Sequence, residues 1–152
     1  MVRRTERGAA AVEFALVLVP LLIIVFGLIQ YGIYFWAMQG GADIARDAAR
    51  RAAIVPTCTN FTDTMKSSVD NFVGTNKIQS ASATYQQIGT HATATEVKVN
   101  DSVTVSVTFK SYDFNFPFVP FIRNGVVSSS ATARVENDPS TPLTSLTCSK
   151  TW

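Results

Sequence analysis

The spacing of apolar positions changes twice along this chain. From Phe14 to Ile29 no side chain is polar, and after Gln30 the run resumes through Tyr31, Gly32, Ile33, Tyr34, Phe35 and Trp36. Taken from Phe14 to Trp36, the stretch makes about 34 Å of helix, enough to cross a hydrocarbon core of about 30 Å with some tilt. It predicts a transmembrane helix. Pro20 removes one backbone donor inside it and marks a candidate kink. Tyr31, Tyr34 and Trp36 gather at its C-terminal end, where amphipathic rings suit the bilayer interface. Beyond the span, Ala37, Gly41, Ala45, Ala49 and Ala53 recur at helical spacing. A helix continuing out of the membrane would carry them as a slowly drifting stripe of small side chains. Such a stripe serves either as a seam for a helix of another subunit or as the face laid on the chain's own sheet. Asp47 precedes Arg50 and Arg51 at helical ion-pair spacing on the outer face. Gly40 and Gly41 offer a hinge where the helix leaves the bilayer, and Pro56 ends it.

After Pro56 the pattern shortens. Asn60 to Phe72 predicts a second helix, with Phe61, Met65, Val69 and Phe72 on one side as core. From Ser80 the period becomes two. Val103, Val105, Val107 and Phe109 alternate with Thr104, Ser106, Thr108 and Lys110, the pattern of a strand buried on one face. Thr95 to Val99 is expected to precede it across an Asn100-Asp101 turn, Val126 to Glu136 to follow it, and Ala81 to Ile88 to complete four antiparallel strands. The fold class is therefore α+β: a long N-terminal helix running into a soluble part built of a short helix and a roughly four-stranded antiparallel sheet. The stretch "FNFPFVPFI", Phe114 to Ile122, is too rich in proline for a central strand and too apolar for an ordinary loop. Its aromatics either tuck under the sheet or form an exposed patch for a partner or the membrane surface.

Composition narrows the functions available. Thirteen Lys and Arg against eleven Asp and Glu leave a net charge of +2, without the basic stripe of a nucleic-acid footprint. No metal-ligand pair, phosphate loop or nucleophile elbow occurs, so no catalytic residue, metal, cofactor or small-molecule substrate is expected. His91, the sole histidine, is expected on an exposed loop rather than as a base. The sequon at Asn60 is taken as a chance match. Cys58 and Cys148 fit no zinc or redox spacing; on the oxidising side of a membrane they would pair, the alternative being two free thiols.

The arginines flanking the span, Arg3, Arg4 and Arg7 before it and Arg46, Arg50 and Arg51 after it, are nearly balanced. The long polar C-terminal part decides the orientation: N-terminus in the cytoplasm, domain outside. A cleaved secretory signal is the competing reading, but the apolar run is too long and no A-x-A site follows it.

Glu13 stands at the lip of the apolar run, where a charge in hydrocarbon costs about 2.5 to 3.5 kcal/mol and calls for a partner. With Gly8 five residues before it and a basic leader before that, the pattern resembles the cleavage signal of type IV prepilins. That resemblance implies cutting between Gly8 and Ala9 by a prepilin peptidase, with Glu13 and Phe14 serving processing and assembly. Glu13 would then neutralise the new Ala9 amine, in the same chain or a neighbour.

"RGAAAVEFALVLVPLLIIVFGLIQYGIYFWAMQGGADIARDAARRAA" further resembles the N-terminal signature of TadE-like pseudopilins of the tight-adherence (Tad, or Flp) pilus, well matched from Arg7 to Ala53. A weaker echo lies in "YDFNFPFVPFIRNGVVSSSATARVEN". The cysteine pair is not required by that pattern, and TadE-, TadF- and TadG-like members are not separable on it. The resemblance implies a leader over 1–8, a membrane and membrane-proximal helix over 9–55 and an extracytoplasmic domain over 56–152. It implies a non-enzymatic minor pilin that assembles or primes the pilus from the bacterial inner membrane, with pilin-like subunits as partners. The rival is a single-span protein with an uncleaved N-terminus whose outer domain binds or adheres.

Overall fold

The computed structural model describes residues 5–58, 61–91, 95–117, 119–120, 122–139, 143 and 145–152. Arg3, Arg4, the side chains of Glu6 and Arg7, Asn60 of the sequon, Phe118 and Phe121 lie outside that description. One helix, α1 (Thr5–Ile54), runs without a break through Pro20 and through Gly40 and Gly41. The expected hinge is absent for a packing reason. A Cβ at Gly40 would enter the ring of Phe72, and one at Gly41 would stand 2.8 Å from Phe109 Cε1 and 2.9 Å from Ser129 Oγ. These glycines admit neighbours rather than bend the chain.

Helix α2 (Phe61–Val73) buries Met65, Val69 and Val73. The sheet follows as β1 (Ile78–Gln86), β2 (Ser102–Lys110), β3 (Val126–Arg134) and β4 (Thr147–Thr151), ordered β3-β2-β1-β4 and antiparallel throughout. The α+β class stands, with one strand exchanged. Thr95 to Val99 is a loop and not a strand, because Asp101 Oδ2 accepts the Lys98 N–H at 2.8 Å and pulls this stretch off the ladder. The fourth strand is the tail, Thr147–Thr151, laid along β1.

One face of the sheet holds the core: Ala81, Ala83 and Tyr85 of β1, Val103, Val105, Val107 and Phe109 of β2, Val127 of β3 and Cys148 of β4. The helices cover this face. The opposite face is a grid of hydroxyls. Cross-strand pairing aligns Thr147, Thr84, Thr104 and Thr132 in one row, Ser149, Ser82, Ser106 and Ser130 in the next, and Thr151, Ser80, Thr108 and Ser128 in a third. Within it Thr104 and Thr132 share a hydrogen bond of 2.9 Å.

The long helix divides by environment. From Gly8 to Ile29 its side chains stand clear of the rest of the chain, except partly covered Leu18, Ile23, Phe26 and Gly27. From Gln30 onward every third or fourth residue is buried against the sheet. Tyr34, expected in an interfacial belt, belongs to this core at 5% exposure, with its hydroxyl donating to Val126 O. Strand β2 runs antiparallel to this part of α1, so the Ser111–Gly125 connection lies at the bare helix and the Gln87–Asp101 connection at the far end.

Candidate functional site

The bare helix is the first candidate. Gly8 lies in open space and Glu13 is exposed, as are Val12, Phe14, Leu16, Val19, Leu21, Ile24 and Leu28 at roughly half to three quarters of their surface. Water does not tolerate so continuous an apolar cylinder, and Gly8–Ile54 is long and apolar enough to cross a membrane. A single N-terminal helix of this kind suggests a single-pass membrane anchor. Ala9 and Glu13 stand one turn apart on it.

The small-residue stripe is already occupied. Ala37 and Ala45 are fully buried, Ala49 and Ala53 are 2% exposed, and Gly41 meets Phe109 and Ser129. The small side chains let α1 sit close on β2 and β3. The chain's own sheet therefore takes the place a second helix would need.

Cys58 and Cys148 form a disulfide with Cα atoms 5.3 Å apart, closing a separation of 90 residues. It ties β4 to the segment leaving α1.

The described part of the Phe114 to Ile122 stretch does not tuck under the sheet: Phe114, Phe116 and Pro120 lie along α1, held by a clasp that sequence reasoning missed. Gln30, 1% exposed, donates from Nε2 to Tyr112 O and accepts the Phe114 N–H at Oε1, both at 3.1 Å. One turn earlier Phe116 stacks on Phe26 with centroids 4.7 Å apart, and the Tyr31 hydroxyl donates to Pro120 O at 2.7 Å. A lone amide in a long apolar helix was the available signal, because such a group needs partners when water is excluded.

His91 also departs from expectation. Its side chain is 5% exposed and its Nε2 lies 2.9 Å from Asp101 Oδ2. Burial alone would raise the Asp101 pKa, but the N–H groups of Ile88 and Lys98 and the His91 ring hold it below the ordinary carboxylate value. Oδ1 takes Ile88 and Oδ2 takes Lys98 and His91, so the cluster pins the loop before β2. Tyr85 is perturbed as well: burial pushes its hydroxyl up against a weaker opposing backbone bond, and it donates to Ala52 O. No cluster of His, Cys, Asp or Glu suited to a metal occurs among the described residues. An apolar groove of about 320 Å³ separates α1 from α2, lined by Ile44, Ala48, Ala52, Val55, Phe61 and Met65.

Neither a curated protein nor a solved structure matches the chain. A family model, that of TadE-like protein, matches residues 8–50. The matched segment holds Gly8, Glu13, the bare helix, Gln30 and the buried stripe as far as Ala49, and residues 51–152 lie outside it. This match is consistent with a TadE-like, pilin-related protein of the Tad pilus.

Proposed function

We propose that the chain is a minor pilin or pseudopilin that helps assemble or prime a Tad-type pilus, working by helix and protein contacts rather than by catalysis. The observation that carries this is the bare apolar segment Gly8–Ile29 opening a helix whose remainder is fused to a small α+β domain. A helix left bare in the chain is free to pack in a bilayer or against other pilin-like helices. The match over residues 8–50 supports the same role. Prepilin peptidase cuts between Gly8 and Ala9 on the cytoplasmic side of the inner membrane, and the domain faces outward. Glu13, one turn beyond Ala9, then offers its carboxylate to the amine so created. Phe14 opens the run inserted beside it.

Intact mass of the membrane-purified protein, made with and without an active prepilin peptidase, tests this reading. A chain beginning at Ala9 only when the peptidase is active is the expected result. A chain that keeps Met1 in its presence contradicts it and favours the anchored binding module. Gly8→Val is expected to block cutting, while Glu13→Ala is expected to be inserted and cut but to co-purify poorly with pilin-like subunits.

A further inference from the structure

Bilayer depth is transmitted from the helix to whatever is packed on it. Phe26 lies inside the uninterrupted apolar run, three residues before its end at Ile29. The ring of Phe116, stacked on Phe26 at 4.7 Å and only 8° from parallel, must lie at the same depth. From Phe14 to Ile29 the run measures about 24 Å, about 6 Å short of a hydrocarbon core of about 30 Å. With Glu13 at the inner boundary, the outer boundary falls about one turn past Ile29. That level contains the Gln30 clasp and the Tyr31 bond to Pro120.

We propose that Tyr112, Phe114, Phe116 and Ile122, in the connection after β2, form a membrane-interface wedge, seated in the outer boundary of the bilayer that α1 spans. The proposal rests on the reading of Gly8–Ile29 as a membrane span. Phe114 is 51% exposed, Tyr112 42% and Ile122 41%, and all three project from a segment fixed at membrane level. Phe114 and Phe116 stack at 5.6 Å, making one apolar surface continuous with the helix.

The backbone chemistry fits such a site. An irregular segment is tolerated near hydrocarbon only where its polar groups are satisfied by protein or reach the interface. Pro117 and Pro120 have no N–H to satisfy. The Phe114 N–H goes to Gln30, the Asn115 N–H to Asp113 Oδ1 and the Val119 N–H to Phe116 O. Basic groups flank the wedge where headgroup phosphates would lie: Lys110 and Arg123 are exposed, and Lys77 sits 5.4 Å from the Tyr112 ring centroid, with exposed Asp113 as the opposing charge. The ligand is thus the lipid of the outer leaflet, gripped by aromatic rings below its phosphates.

Depth-dependent fluorescence quenching tests the wedge. The full chain, with its own indoles removed by Trp36→Phe and Trp152→Phe, is reconstituted into phosphatidylcholine and phosphatidylglycerol vesicles carrying acyl chains brominated near the glycerol end or near the methyl end. Single tryptophans are added by Phe114→Trp, Ile122→Trp, Leu21→Trp and Ile88→Trp, and a non-reducing gel shows that each variant has formed its disulfide. Emission from Phe114→Trp and Ile122→Trp is expected to shift to the blue and to be quenched most by bromines near the glycerol. Leu21→Trp, in the middle of the span, should be quenched most by bromines near the methyl end, and Ile88→Trp, at the far end of the sheet, by neither. Quenching of Leu21→Trp with none at Phe114→Trp and Ile122→Trp overturns the wedge and leaves the span intact. Absence of quenching at Leu21→Trp overturns the span itself, and the wedge with it.

Discussion

Replacing Gly41 by alanine should loosen the seating of α1 on the sheet, although alanine is the better helix former. A methyl group here would stand 2.8 Å from Cε1 and 3.0 Å from Cζ of Phe109, and 2.9 Å from Ser129 Oγ. The serine hydroxyl can rotate away. The Phe109 ring cannot, because it is fully buried and held edge-to-face by Phe72 at 6.4 Å. Restoring ordinary contact means separating helix and sheet by roughly half an ångström, and overpacking of this kind costs about 1 to 3 kcal/mol. Alanine's helix preference returns about 1 kcal/mol. Gly32→Ala isolates that second effect, because nothing lies within 4 Å of a Cβ at Gly32. The two variants should therefore differ by about 1 to 3 kcal/mol in favour of Gly32→Ala, or roughly 2 to 12 °C in Tm for a chain of this size. Thermal unfolding of the oxidised protein in detergent, followed by near-ultraviolet circular dichroism, measures the gap. A Gly41→Ala variant that melts with or above Gly32→Ala would refute the close approach of α1 to Phe109.

Replacing both Cys58 and Cys148 by serine removes a bridge across 90 residues and should lower stability by about 4 to 5 kcal/mol, seen as a reduced urea midpoint; an unchanged midpoint contradicts it. Because the folded pKa of Asp101 lies below its unfolded value, its stabilising contribution is complete above about pH 4 and fades as pH falls through the folded pKa. Asp101→Asn should thus destabilise the domain near neutral pH and progressively less in acid, and an equal loss in urea midpoint at both ends of that range rules the linkage out. Gln30→Leu strands the Phe114 N–H and the Tyr112 carbonyl, costing about 1 to 3 kcal/mol; the Phe114 amide should exchange with deuterium faster while the amides of β2 keep their protection.

Elements whose own side chains supply the burial were legible from sequence. Strand β2 is written in Val103, Val105, Val107 and Phe109, and α2 in Met65 and Val69, so no partner need be known. Strand β4 is different. Cys148 is its single buried side chain, and β1 and the disulfide create the strand from outside, which no alternation could announce. Thr95 to Val99 carries strand-forming residues, but the Asp101 carboxylate competes for its backbone, and a side chain acting as surrogate acceptor leaves little trace in local pattern. His91 was misplaced for the same reason, since the residue that buries it lies ten positions on. In the candidate site, the bare span, Glu13 and the cysteine pair were visible as residues. The Gln30 clasp was visible only as an interruption, because its partners are backbone groups, which look alike in every sequence.

A surface tiled with hydroxyls cannot tell one strand alignment from the next. Sliding β4 along β1 by two residues would again set two of its three outward hydroxyls, those of Thr147, Ser149 and Thr151, beside serine or threonine of β1. A slide by one residue is excluded, since it would turn Cys148 outward and swap the faces. The slide by two meets no such objection on the open side, and on the covered side β4 offers Cys148, set against Ala83, and Lys150, set against Ala81 and reaching Asp63 of α2 at 2.9 Å. The bond to Cys58 distinguishes these alternatives far more strongly than the exposed Lys150 to Asp63 pair does. It acts as an index pin, selecting one alignment from a set that the hydroxyl rows leave degenerate, and opening it would leave the weak, exposed pair of Lys150 and Asp63 to hold the address of β4.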